Sequence, residues 1–170
     1  MRYPAFAAAA GRPVDLEQRI NLCRTENQKA DAWAYESREL LSLSAYLAKQ
    51  SRTLPIAPPD DPRLRPFAET GFELFNRRLG QLNLSCAQCH DDNRGKKLAA
   101  ATIPQAHPTG YPIYRLEWQS LGSLQRRLRN CLIGMRAEPY AYGAPEYIAI
   151  ELYLMKRARG MAYEAPGVRP

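Results

Sequence analysis

The chain has 170 residues, 45% of them hydrophobic, and a formal charge of +7. That is enough for one ordinary domain, or two small ones, with a real core. No run of about 20 apolar residues is present, which excludes an apolar membrane-spanning helix, and no motif or compact basic stripe supports nucleic-acid binding.

Arginine supplies 19 of the 24 basic residues. Guanidinium forks suit bidentate binding of oxyanions, although the composition of the source genome explains the bulk of them equally well. Fourteen prolines and ten glycines point to many loops, as where a bound group replaces part of a core.

The opening Met1-Arg2-Tyr3-Pro4-Ala5-Phe6-Ala7 does not read as a secretory signal. Its apolar stretch is short and interrupted by proline. Residues 14 to 52 carry two helical patterns, with Leu16, Ile20 and Cys23 on one face of the first. Leu40, Leu41, Leu43, Tyr46 and Leu47 mark the second. Thr53 to Pro62 then holds four prolines in ten residues, an extended segment that cannot continue a helix.

Residues 1–52 therefore read as a reduced N-terminal lobe, 53–61 as a linker, and 62–170 as a second domain. From Phe67 to Leu79 the apolar residues recur at helical spacings, with Gly71 and Phe75 four apart.

Cys86-Ala87-Gln88-Cys89-His90 is a C-x-x-C-H pentapeptide, the attachment signature of c-type haem. Two thiols add across the haem vinyl groups, and the adjacent histidine reaches the iron. A zinc half-site needs a second ligand pair that the sequence lacks. A redox dithiol needs a βαβ context that the flanks do not supply.

Pro104 to Pro112 reads as a loop. In the stretch 121–134, Leu121, Leu124, Leu128 and Cys131 share one face of a predicted helix. Arg127 is one turn from Cys131, and Arg129 falls on the opposite side. Glu146 to Arg159 forms an amphipathic helix closed by a basic turn and Gly160. A small residue and an aromatic four apart, as at Gly71 and Phe75, resemble the first helix of class I cytochromes c, which makes this last helix the crossing partner.

The sixth position on the iron has several candidates: Met135, Met161, Met155 (better read as core) and Cys131. A sulfur ligand beside a fixed cation suits a sulfur anion. The alternatives are an inert buried cysteine or a Cys23–Cys131 disulfide. The overall expectation is an all-α protein, a cytochrome c-like haem domain preceded by the reduced lobe. A plain periplasmic electron carrier, with His90 and Met135 or Met161 on iron, is the second functional reading.

Four stretches, Tyr114 to Tyr140, Val14 to Arg24, Tyr35-Glu36-Ser37 and Glu164 to Pro170, strongly resemble the SoxA family, the larger subunits of the SoxAX cytochromes. The resemblance spans nearly the whole chain. It implies an L-cysteine S-thiosulfotransferase of periplasmic thiosulfate oxidation, joining thiosulfate to a cysteine of the SoxYZ carrier. It implies a SoxX partner, an acceptor cytochrome and one covalent haem c on Cys86 and Cys89.

The same resemblance implies His90 and Cys131 as axial ligands, Cys131 also as a persulfidable reactive centre, and Arg127 as a substrate-binding residue. Diheme members carry a second haem on an upstream motif, and Cys23 matches its ligand. The expectation is that this sequence starts just after the place where that motif would lie.

Overall fold

The computed structural model describes residues 2–169. Six helices carry the fold among them. Helix α1 (Leu16–Glu26) starts at Asp15, whose carboxylate accepts from the Gln18 amide at 2.7 Å. Helix α2 (Arg38–Gln50) is capped by Ser37. In each case a short polar side chain satisfies an amide left free by the first turn. Before α1, strands β1 (Ala5–Ala7) and β2 (Arg12–Val14) form an antiparallel hairpin.

Residues 53–61 are not folded away from the rest. Ile56 is fully buried with Ala48, Met155, Ala158, Tyr163 and Ala165. Its amide donates to Met161, and Thr53 donates to Tyr163. The proline-rich stretch thus runs extended along the end of the last helix.

Helix α3 (Arg65–Asn76) crosses α6 (Pro145–Arg157) in the most extensive helix pair of the molecule. Leu74 and Phe75 of α3 pack on Ala149, Ile150 and Leu154 of α6. A five-residue helix α4 (Cys86–His90) and helix α5 (Leu124–Gly134) flank that pair.

The all-α expectation is corrected here. Beside the small antiparallel ladder of β3 (Lys97–Leu98) and β4 (Ala101–Thr102) stands a three-stranded sheet. Its order is β6 (Ser120–Gly122), β5 (Ile113–Arg115), β7 (Gly167–Arg169). β5 pairs antiparallel with β6 and parallel with β7. Three-residue strands leave no alternating pattern, and the parallel partner returns only after α6. Leu121 accordingly lies in β6, and α5 begins at Leu124 behind the Ser123 cap.

Three carboxyls lie buried where α1 meets α6 and α5: Asp15 at 0%, Glu17 at 8% and Glu151 at 9% exposure. Asp15 accepts from Tyr35 Oη at 2.8 Å and from Gln125 Nε2 at 2.7 Å. Even so, burial wins and pushes Asp15 up to about 6. Burial, then the neighbouring Asp15, pushes Glu17 up to about 8. Glu151 is also raised, first by burial. A carboxyl whose burial is not offset by an ion pair favours its neutral form, the more distant Arg12 charge notwithstanding for Asp15.

Candidate haem-binding site

The C-x-x-C-H segment forms a helix behind a reciprocal cap at its N-terminus. Ser85 Oγ accepts from the Gln88 amide at 3.2 Å, and Gln88 Oε1 accepts from the Ser85 amide at 2.8 Å. This reciprocal box fixes the first turn. The Ser85-x-x-Gln88 spacing is its signature in the sequence. The turn brings Cys86, Cys89 and His90 to the wall of a cavity of about 330 Å³. Phe75, Ile150, Leu154 and Leu128 supply apolar walls, as a cofactor pocket needs.

His90 Nδ1 lies 2.7 Å from the carbonyl oxygen of Pro104. A carbonyl only accepts, so the ring donates from Nδ1 and Nε2 keeps its lone pair for a metal. Burial pushes the imidazole down from its usual range, toward the neutral form that binds iron. The Phe75 ring stands 6.5 Å from the His90 ring, centroid to centroid. Paired thiols, a nitrogen freed by its tautomer and apolar walls together fit a covalently held haem.

On α5, Arg127, Leu128, Cys131 and the following Met135 line the same cavity. Burial raises the Cys131 thiol, and Arg127 pulls it back. Burial also raises Cys86, to about 11, with Cys131 and Cys89 adding to it. Among the described residues the half-buried Arg127 side chain makes no hydrogen bond or ion pair.

Arg129 is engaged differently. It donates to the Tyr140 carbonyl and lies 4.7 Å over the Tyr142 ring. So α5 presents one unpaired guanidinium beside Cys131 and uses another to hold the following loop.

The methionines divide. Met155 is core, at 3% exposure. Met161 is 40% exposed and outside the cavity lining, whereas Met135 lines the cavity and packs with Leu132 and Tyr147. Cys23 and Cys131 are unbridged. Cys23 lines a separate apolar cavity of about 790 Å³ with Tyr3, Leu16, Ile20, Trp33 and Leu43.

Comparison with known proteins identifies the family of this fold. The family model described as "SoxA/TsdA, cytochrome c domain" matches residues 1–56 and 70–163. The L-cysteine S-thiosulfotransferase subunit SoxA of Rhodovulum sulfidophilum is 36% identical over 98% of the chain and 58% of that relative. The same-named subunit of Pseudaminobacter salicylatoxidans is 36% identical over 99% of the chain and 59% of that relative.

A crystal structure of SoxXA from P. pantotrophus superposes with a TM-score of 0.94 at 31% identity, covering 99% of this chain and 64% of that one. The chain thus spans about three-fifths of the length of these curated relatives. With its family model matched from residue 1 to 163 save residues 57–69, the chain belongs to the SoxA/TsdA cytochrome c domain family.

Proposed function

We propose that the chain is the haem-bearing subunit of an L-cysteine S-thiosulfotransferase, joining thiosulfate to a carrier-protein cysteine with loss of two electrons. The observation that carries this is the unpaired Arg127 guanidinium one helical turn from Cys131, on the wall of the cavity that holds the haem-attachment residues.

Cys86 and Cys89 would hold the haem through thioethers, with His90 Nε2 and the Cys131 sulfur on the iron. The haem supplies a one-electron centre that keeps a bound thiol deprotonated. The chain's own residues do the rest. His90 is held in one tautomer by Pro104. Arg127 binds the sulfonate end of thiosulfate without a proton to lose. Cys131 offers sulfur, in thiolate or persulfide form, to the outer sulfur of the substrate.

Overall, a carrier thiol and thiosulfate give a carrier thiosulfonate, one proton and two electrons, the electrons leaving to an acceptor cytochrome. We assign the carrier as SoxYZ, the partner subunit as SoxX, and the compartment as the periplasm, where c-type haem is attached. No described helix is long and apolar enough to cross a membrane. Residues 62–170 act as the haem domain and 1–52 as the reduced lobe, joined by 53–61. Where a full-length chain carries a second haem on residues preceding these, Cys23 is its ligand.

A second reading, an electron carrier with His90 and Met135 on iron, rests on Met135 lining the same cavity. One experiment separates the two. Incubating the holoprotein and its partner with carrier, thiosulfate and an oxidised acceptor cytochrome should add one thiosulfate ion to the carrier in place of its single thiol proton. An unmodified carrier alongside rapid electron exchange with the acceptor would favour the second reading.

A further inference from the structure

The bond between His90 and Pro104 joins two segments that are 14 residues apart. A second link runs beside it. Asp91 follows His90, and Gln105 follows Pro104. Both are held by one guanidinium, that of Arg157 in the last turn of α6. Arg157 Nη2 donates to Asp91 Oδ1 at 2.6 Å and to the Gln105 carbonyl at 3.3 Å. Nη1 reaches Asp91 Oδ2 at 3.4 Å and the Tyr153 hydroxyl at 3.3 Å. The guanidinium also lies 4.9 Å from the centroid of the Phe75 ring, which itself faces His90.

We propose that Arg157 is a positioning residue for the proximal histidine. It clamps Asp91 to Gln105 and so keeps the Pro104 carbonyl on His90 Nδ1. Between these segments the chain is tied by a two-residue ladder, by the Gly95–Ile103 and Ile103–Lys96 backbone bonds and by Asn93 Nδ2 donating to the Gln88 carbonyl at 2.7 Å. The clamp adds the side-chain bonds that join the two residues next to the His90–Pro104 pair itself. A partner on the far ring nitrogen fixes the ring and raises its basicity toward iron. Arg157 would thus set the donor strength of His90 without touching the haem iron.

This rests on His90 being the iron ligand, a reading that fails separately if the unsubstituted holoprotein shows no histidine-ligated spectrum. The test is the midpoint potential of the purified holoprotein, measured with no substrate present. Arg157 as a bare nearby cation and Arg157 as a clamp predict opposite signs. Removing a cation favours the more positive ferric centre and lowers the potential. Releasing the Pro104 carbonyl weakens the imidazole donor and raises it.

Arg157→Lys isolates the clamp, because it keeps the charge but lacks the fork that spans Asp91 and Gln105. It should raise the potential, and a fall or no change would overturn the clamp. Should Arg157→Lys not accumulate as holoprotein, the comparison of Asp91→Asn with the parent decides: it releases the same link with Arg157 retained, so the clamp predicts a rise, and a fall or no change would overturn it. Arg159→Gln is the control. That residue pairs with Asp60 at 2.7 Å and with the Pro58 carbonyl at 3.0 Å, away from His90, and its variant should keep the parent potential.

Discussion

Gly71 and Ala149 are in such close approach that a Cβ built on the glycine would lie 2.1 Å from the Ala149 carbonyl oxygen and 2.8 Å from Tyr153 Cβ. The contact is backbone on backbone, so neither partner is able to yield by a rotamer change. It sets the spacing of α3 and α6, and with it the wall that Phe75, Ile150 and Leu154 give the haem cavity. Gly71→Ala should cost ~3 kcal/mol or more, the upper range for overpacking a tight core. Chemical denaturation of the holoprotein checks this, and haem yield should fall with it. A parent-like midpoint would mean that the helices are free to separate.

Cys131→Met exchanges a thiolate for a thioether at the proposed sixth position. Thiolate stabilises ferric iron, and His/Met ligation raises the potential. The variant should therefore show a higher midpoint potential in a spectroelectrochemical titration. An unchanged potential would place Cys131 off the iron.

Arg127→Ala should cost ~2–4 kcal/mol of transition-state stabilisation, the range for removing one preorganised electrostatic donor. Haem content should stay normal, because the side chain makes no structural bond among the described residues. Arg127→Lys keeps the charge and loses the fork, so a partial defect is expected in the rate of carrier modification.

Arg129, on the other side of α5, reads from the sequence as a neutral control. Its bond to the Tyr140 carbonyl makes it a structural residue instead. The exposed Arg65 serves better. Equal losses in Arg65→Ala and Arg127→Ala would point to a nonspecific charge effect.

The buried carboxyls reverse the usual acid sensitivity. Glu17 is held up at about 8 and Asp15 at about 6, each above its unfolded value. Between the unfolded and folded values the native state holds the proton that the unfolded state has lost. Stability then falls as pH rises, by up to ~1.4 kcal/mol per pH unit for each such group. Unfolding free energy measured from pH 5 to 8 should decline because of this cluster. Glu17→Gln should flatten the decline and gain stability at pH 8, and an unchanged slope would contradict the assignment.

What the sequence disclosed followed from local pattern. The C-x-x-C-H turn, the five longer helices outside it and the Gly71 crossing rest on spacings within about 14 residues, and each appears in the fold. The sheet did not show itself, because β5 finds its parallel partner beyond α6 and each strand is three residues long.

The docking of Ile56 was hidden for a related reason. Four prolines determine that the backbone is extended, not where it lies. At the site, Cys131 and Arg127 were visible as one turn of a helix. The Pro104 carbonyl and the Arg157 clamp were not, since both depend on a loop closing over α4.

The central claim is that Cys131, and not Met135, is the sulfur on the iron opposite His90. The near-infrared spectrum of the ferric holoprotein tests it most directly, because thiolate and thioether ligation give different charge-transfer bands. The parent should show the thiolate band. Cys131→Ala should lose it while keeping its covalent haem, and Met135→Leu should retain it. A parent-like band in Cys131→Ala, or its loss in Met135→Leu, would contradict the account.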